Sequence, residues 1–85
     1  MTRGPEDPMQ TLSYRILLRR EPAGGYTVTV PSLPGCVTYG ETIEEGVAMV
    51  REAIALYLES LQAHGEEIPT EEATLEYTVT VPAYA

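Results

Sequence analysis

The sequence predicts an α+β domain in which one helix lies on one face of a small, mostly antiparallel sheet. Two patterns lead to this fold class. Residues 12–19 and 75–81 alternate apolar with mainly polar side chains, the period of two that is typical of strands. Residues 43–61 instead repeat apolar side chains every three or four positions, which is the period of a helix. Because 85 residues suffice for one hydrophobic core, we expect these elements to form a single domain.

The first two predicted strands form a hairpin. The segment TLSYRILLRR, residues 11–20, carries an apolar face made of Leu12, Tyr14, Ile16 and Leu18. The turn cluster EPAGG follows, and YTVTV, residues 26–30, alternates in the same way. Two alternating runs joined by a short loop that contains glycine are typical of a β-hairpin. Pro31 ends the second strand, and CVTYG, residues 36–40, is short enough to be a third.

The helix is the most clearly marked element. Thr42 and Glu45 have the spacing of a capping box. In this motif the threonine hydroxyl accepts a hydrogen bond from the Glu45 amide, and the Glu45 carboxylate reaches back to accept one from the backbone at the helix start. The apolar stripe that follows consists of Ile43, Val47, Val50, Ile54, Tyr57 and Leu61. Gly46 weakens a helix by about 1 kcal/mol relative to alanine, so we expect the first turn to approach the sheet closely. Gly65 and Pro69 mark the end of the helix.

The last strand is predicted to complete a four-stranded sheet. Its apolar face consists of Leu75, Tyr77, Val79 and Val81. Because three strands in a meander end at one edge, the helix crosses the apolar face and delivers the last strand beside the first, in parallel, by a right-handed crossover. The predicted architecture is therefore β-β-β-α-β with strand order 3-2-1-4. The last strand would lie at an edge, where a partner strand can pair with it, so we expect a homo-dimer or a higher oligomer.

The chain has no recognisable targeting or membrane segment. Residues 1–11 are rich in proline and charge and are predicted to be a flexible N-terminal tail, which leaves residues 12–85 as the domain. The tail lacks the apolar core of a signal peptide, and no apolar run approaches the roughly 20 residues that span a bilayer. We therefore expect a cytoplasmic protein without a membrane partner.

Negative charge is concentrated in the second half of this acidic protein. Residues 1–40 carry four arginines and three acidic residues, a net charge of +1, whereas residues 41–85 carry ten glutamates and one arginine, a net charge of −9. Such a surface repels a phosphate backbone, so direct nucleic-acid binding is disfavoured. A basic protein is the natural complement, and increased solubility is the alternative explanation.

The residues do not assemble an enzyme site. Glu76 is the one carboxylate within the predicted strand patterns, and Cys36 and His64 are the one cysteine and the one histidine. Neither a phosphate-binding loop nor a nucleophile elbow is present. We therefore predict no catalytic, cofactor-binding or metal-binding residues, with Cys36 as a small core residue.

Residues 26–59 (YTVTVPSLPGCVTYGETIEEGVAMVREAIALYLE) carry a longer signature. An aromatic strand is followed by Pro-x-Leu-Pro-Gly-Cys, by Tyr-Gly-x-Thr, by Glu-Glu and by an alanine-rich helix that ends near Tyr-Leu. This order resembles the HicB-like antitoxin domain of bacterial and archaeal toxin–antitoxin pairs. The resemblance implies a fold related to a truncated ribonuclease H sheet. It also implies a function, which is to bind and neutralise HicA, a small basic toxin that cleaves mRNA.

The resemblance makes residues 12–85 a HicB-like α/β domain. Many family members also carry a C-terminal DNA-binding domain, whereas this sequence stops after one strand and PAYA. We therefore expect a single-domain member with no separate DNA-binding domain. Two other readings remain open: an orphan oligomeric regulatory or structural protein without a toxin, and an enzyme or small-ligand protein.

The expected toxin contacts lie in the loop and on the helix. The acidic candidates, which would meet basic side chains, are Glu41, Glu44, Glu45 and Glu52. The apolar candidates, which would act as anchors, are Leu33, Pro34 and Tyr39. An alternative role for Pro31, Pro34 and Gly35 is to build a rigid corner in which glycine takes a positive φ. Leu33 between the prolines fits the core as well as it fits an anchor.

Overall fold

A computed structural model of the chain describes residues 11–84 and contains three strands and one helix. The strands are β1 (Leu17–Arg20), β2 (Tyr26–Thr29) and β3 (Val37–Gly40), and the helix is α1 (Ile43–Ala63). The strands form an antiparallel meander in the order β1-β2-β3, with α1 against one face. These elements confirm the α+β class.

The predicted fourth strand is not part of the sheet. Across residues 11–84 the sheet has three strands, so the four-stranded order 3-2-1-4 and the ribonuclease H-like detail are not confirmed. Residues 74–84 contain no assigned strand, and a turn in which the Thr74 amide donates to the Glu71 carbonyl over 3.0 Å precedes them. Alternation specifies the two faces of a strand, but it does not specify the edge with which the strand pairs.

β1 begins later than the alternating pattern predicts. The β1–β2 register, extended by two residues beyond the Leu17–Thr29 pair, brings Arg15 opposite Pro31, which has no amide hydrogen to donate to the Arg15 carbonyl, so the ladder cannot form a complete pair there. The Arg15 amide donates instead to Glu71 Oε1 over 3.0 Å. Ser32 Oγ donates to the other oxygen of the same carboxylate over 2.6 Å. One carboxylate from the far end of the chain therefore closes the hairpin where the ladder stops.

The core lies between the sheet and α1 and is closed on one side only. Its fully enclosed members are Val28, Val30, Leu33, Cys36 and Val50. α1 packs chiefly on β3 and β2, and on the β1 side Ile16 and Leu18 remain half-buried. The flank of the core next to β1 is therefore open.

The start of α1 touches the sheet through two glycines. A Cβ added to Gly40 would lie 2.6 Å from the Gly46 Cα, and one added to Gly46 would lie 3.0 Å from Val28 Cγ2. The close approach predicted for Gly46 is confirmed. The absence of side chains at both positions lets the backbone of α1 rest on the end of β3.

The end of α1 has the glycine cap that the sequence indicates. Gly65 has a φ of 69°, its amide donates to the Gln62 carbonyl over 3.1 Å, and the Glu66 amide donates to the Leu61 carbonyl over 2.8 Å. This pair of bonds is a Schellman motif. Within residues 11–84 no helix is long and apolar enough to cross a membrane. The tail predicted for residues 1–11 lies outside the described residues except for Thr11.

Candidate partner-binding surface

The loop between β2 and β3 is a rigid corner around Leu33. The Leu33 amide donates to the Val30 carbonyl, and the Cys36 amide donates to the Leu33 carbonyl, each over 3.0 Å. Gly35 takes the positive φ that the sequence suggests, at 84°. Leu33 is fully buried, so of the two roles left open for it, the structure shows the core position.

Pro34 lies on the surface and ties the corner to the helix. Its side chain is exposed, and its carbonyl accepts a hydrogen bond from the Tyr57 hydroxyl over 2.8 Å. Because Tyr57 belongs to the middle of α1, the loop and the helix form one continuous surface at this point. Pro34 is thus available to a partner that contacts α1.

Tyr39 lies on the opposite face of the sheet from α1. It pairs with Thr27, one residue out of phase with the buried Val28, and its side chain is 46% exposed. The hydroxyl donates to the Gly24 carbonyl over 2.9 Å, which holds the ring against the β1–β2 turn. Partial burial, with the negative charges of Glu41 and Glu45, raises the pKa of this hydroxyl above its ordinary value. Tyr39 therefore lies on a different face of the molecule from the candidates on α1.

The acidic candidates differ in what they do for the fold. The Glu45 amide donates to Thr42 Oγ1 over 3.1 Å, which confirms the predicted cap. The Glu45 carboxylate reaches back to the Glu41 amide over 2.6 Å. All four acidic candidates are exposed, and within residues 11–84 no hydrogen bond involves the carboxylates of Glu44 or Glu52. Glu45 therefore has a structural role, whereas Glu44 and Glu52 point charge at the solvent.

Two exposed apolar residues of α1 complete a pattern that the sequence reasoning missed. Met49 is 45% exposed and Leu56 is 61% exposed. They alternate with glutamates at spacings of four and three residues, which places them on one side of the helix. We call this set the acidic–apolar stripe; it consists of Glu45, Met49, Glu52, Leu56 and Glu59. The available sequence signal was the heptad spacing of these five residues. It was overlooked because the apolar stripe that faces the core runs beside it.

Cys36 and His64, the one cysteine and the one histidine of the chain, occupy structural positions. Residues 11–84 contain no group of three or more His, Cys, Asp or Glu side chains that could hold a metal ion. Burial raises the pKa of the Cys36 thiol, which makes it a poorer nucleophile. His64 Nδ1 lies 2.8 Å from the Ser60 carbonyl at the end of α1, so the histidine belongs to the helix cap.

The comparison with known families identifies the family of the chain. Residues 14–85 match the family described as the HicB-like antitoxin of bacterial toxin–antitoxin systems. The chain belongs to the HicB-like antitoxin family. The match confirms the resemblance seen in residues 26–59 and extends it through the C-terminal segment. Membership of the HicB-like family suggests an antitoxin role, a toxin partner and a non-enzymatic function.

Several relatives share most of this HicB-like domain. A UPF0150 protein of Thermoplasma acidophilum is 42% identical over 62 residues, which cover 73% of this chain and 90% of that protein. A UPF0150 protein of Synechocystis is 43% identical over 65 residues, 76% of this chain and 82% of that protein. An uncharacterized 14.9 kDa protein of Haemophilus phage HP1 is 35% identical over 60 residues, 71% of this chain and 44% of that protein.

Proposed function

We propose that this protein binds and neutralises a small basic HicA-type toxin that cleaves mRNA, and that it does so in the cytoplasm without a cofactor or a reaction of its own. Family membership supplies the class of function. The observation that carries the specific proposal is the acidic–apolar stripe on the exposed side of α1, because it offers charge and apolar area to one partner at once.

The electrostatics of the stripe favour a basic partner. From residue 41 to residue 63 the chain carries five glutamates and a single arginine, Arg51. Glutamates on one side of a helix attract lysine and arginine side chains and steer their approach. The same surface repels RNA, so the chain would block the toxin rather than compete for its substrate.

The apolar members of the stripe supply the contacts that charge alone does not. Met49 and Leu56 lie between glutamates and lose water when a partner covers them. Energetically dominant interface residues are usually apolar or aromatic groups surrounded by a polar rim. The proposed contact set is therefore Met49, Leu56 and Pro34 at the centre, with Glu52 and Glu59 of the stripe beside them. Glu44 lies outside the stripe and would add to the negative field of the helix.

The remaining candidates have other proposed roles. Glu41 and Glu45 fix the start of α1 and add to its negative field. Leu33 supports the loop from within the core. Tyr39 would contact a partner only if that partner also covers the face of the sheet opposite α1.

A homo-oligomer without a toxin is the second candidate. The exposed apolar side chains of residues 75–81 favour self-association, which we also propose as a property of the antitoxin itself. The two candidates differ in what they need. A toxin partner requires the stripe, whereas self-association does not.

Charge reversal on the stripe tests the antitoxin proposal. Glu52→Lys places a positive charge in the stripe, and Glu67→Lys makes the same change at an exposed position beyond the helix. We expect Glu52→Lys to weaken binding of the basic toxin by about tenfold or more, because it puts like charges opposite each other. Glu67→Lys should change the affinity far less.

The measurement is a calorimetric titration of the toxin with each variant at low ionic strength, with circular dichroism to verify folding. The wild-type affinity should fall as salt is added, because exposed charges are screened. If Glu52→Lys and Glu67→Lys bind with equal affinity, the stripe is not the interface.

A further inference from the structure

The C-terminal segment, residues 75–81, has the alternation of a strand, and its apolar side chains are exposed to the solvent. Leu75, Tyr77, Val79 and Val81 are 92%, 88%, 71% and 69% exposed. Glu76 is the one charged residue among these seven. A segment with a strand-like alternation and no strand partner is a template for pairing with another strand.

The open flank of the core provides a place for such a face. A groove of about 400 Å³ lies between the segment before β1 and α1, and it is lined by Leu12, Tyr14, Ile16, Val47 and Ile54. A second hollow of about 640 Å³ continues along α1 to Leu58 and Ile68. Aliphatic side chains and Tyr14 form the apolar part of the wall, which can receive apolar side chains, and Thr11, Ser13 and Arg51 form the polar part.

The edge of the sheet beside this groove is unoccupied by a strand. Within residues 11–84, β1 pairs with β2 on one side, and no strand pairs with its other edge. If the apolar face of residues 75–81 entered the groove, Glu76 would fall on the opposite face of the sheet, which carries Arg19. The apolar alternation of residues 75–81 and the opposite charges of Glu76 and Arg19 therefore both favour a strand added at the free edge of β1.

The segment lies outside the groove of its own chain, because its apolar side chains are exposed and none of them lines the groove. The Tyr14 hydroxyl donates to the Pro69 carbonyl, and Glu71 is held by Arg15 and Ser32, so residues 69–71 are fixed at the end of the hairpin. The turn at Thr74 then directs residues 75–81 into solvent. A second copy has the same open groove and the same exposed strand, so a two-fold exchange satisfies both.

We propose that residues 75–81 add a fourth strand to the β1 edge of a second copy of this chain, with their apolar face in the groove between residues 12–16 and α1 of that copy. The exchange is reciprocal and closes at a dimer. It deepens the self-association proposed above, and it does not depend on a toxin.

Two substitutions that differ only in the face of the strand test the exchange. Val79→Asp puts a carboxylate on the apolar face, and Thr80→Asp puts the same group on the other face. Both positions are exposed in the single chain, so neither change should unfold it. By sedimentation equilibrium we expect wild type and Thr80→Asp at twice the chain mass of 9.3 kDa, and Val79→Asp with a dissociation constant raised about tenfold or more.

The same experiment overturns the proposal in two ways. A wild-type chain that stays monomeric at its highest soluble concentration contradicts the exchange. Equal dissociation constants for Val79→Asp and Thr80→Asp contradict the involvement of the apolar face. Neither outcome bears on the toxin titration, so the two proposals fail separately.

Cross-linking locates the docked strand. In a Cys36→Ala background, chains with Val79→Cys are mixed with chains with Ile54→Cys and treated with a short bis-maleimide. The exchange predicts a cross-linked product made of one chain of each kind. A doubly substituted chain that links only to itself would show that the strand docks on its own sheet, and a dimeric mixture without mixed product would exclude the groove.

Discussion

Glu71 links the segment after α1 to the hairpin formed by β1 and β2. Its carboxylate accepts hydrogen bonds from the Arg15 amide and the Ser32 hydroxyl. The Nε atom of the Arg15 guanidinium lies 3.3 Å from Glu71 Oε1. These groups take over where Pro31 interrupts the ladder between β1 and β2. A backbone amide at a strand end would otherwise need water, so the contact stabilises the hairpin.

Acid should weaken this contact. The Ser32 hydrogen bond, with the Arg15 amide and charge, lowers the pKa of the Glu71 carboxyl below its ordinary 4.5. A lowered folded-state pKa gives stability that is present above the unfolded pKa and lost as the pH falls through the folded pKa. We expect Glu71→Gln to reduce the free energy of unfolding at pH 7 and to differ less from wild type at pH 3.

Urea unfolding at the two pH values measures this difference. Glu72→Gln is the matched control, because Glu72 is an exposed neighbour of Glu71, and it should change stability little at either pH. An equal loss for Glu71→Gln at pH 7 and pH 3 would mean that the charge of Glu71 does not matter.

The ends of α1 and its contact with the sheet show which features of the fold can be predicted from the sequence. The capping residues Thr42 and Glu45, the glycine end at Gly65 and the close approach at Gly46 all follow from local signals, and all are confirmed. Residues 75–81 also have a local strand pattern, but their pairing partner is not encoded locally. Met49 and Leu56 were missed because exposure depends on which side of the helix the sheet covers.

The glycine contact between β3 and α1 predicts a ranking of two alanine substitutions. In Gly40→Ala the new methyl meets the backbone of Gly46, which cannot move away without shifting α1. In Gly46→Ala it meets Val28 Cγ2 at 3.0 Å, and about 1 kcal/mol of helix propensity offsets part of the strain. We expect Gly40→Ala to destabilise the protein more than Gly46→Ala, as thermal unfolding of the two variants would measure. The reverse order would mean that this backbone contact is not a constraint.

The whole molecule combines an acidic helix with an apolar strand and a groove. The net charge of −8 opposes the association of two copies and favours the association of one copy with a basic protein. Added salt screens these charges, so we expect it to weaken the affinity for the toxin. The affinity of one copy for another in the strand exchange should stay the same or increase, because salt reduces the repulsion between the copies and strengthens apolar contacts. The second hollow, which continues the groove along α1, reaches Leu56 and Glu59, so the two proposed interfaces adjoin along α1.

The central claim, that this HicB-like chain neutralises a small basic RNA-cleaving toxin, is tested most directly by following RNA cleavage by that toxin while the chain is titrated in at low salt. The account predicts that cleavage falls to background near one chain per toxin, and that the Glu52→Lys chain must be present at higher concentration to give the same effect. Undiminished cleavage in the presence of excess folded chain, with no complex detected between the two proteins, would contradict it.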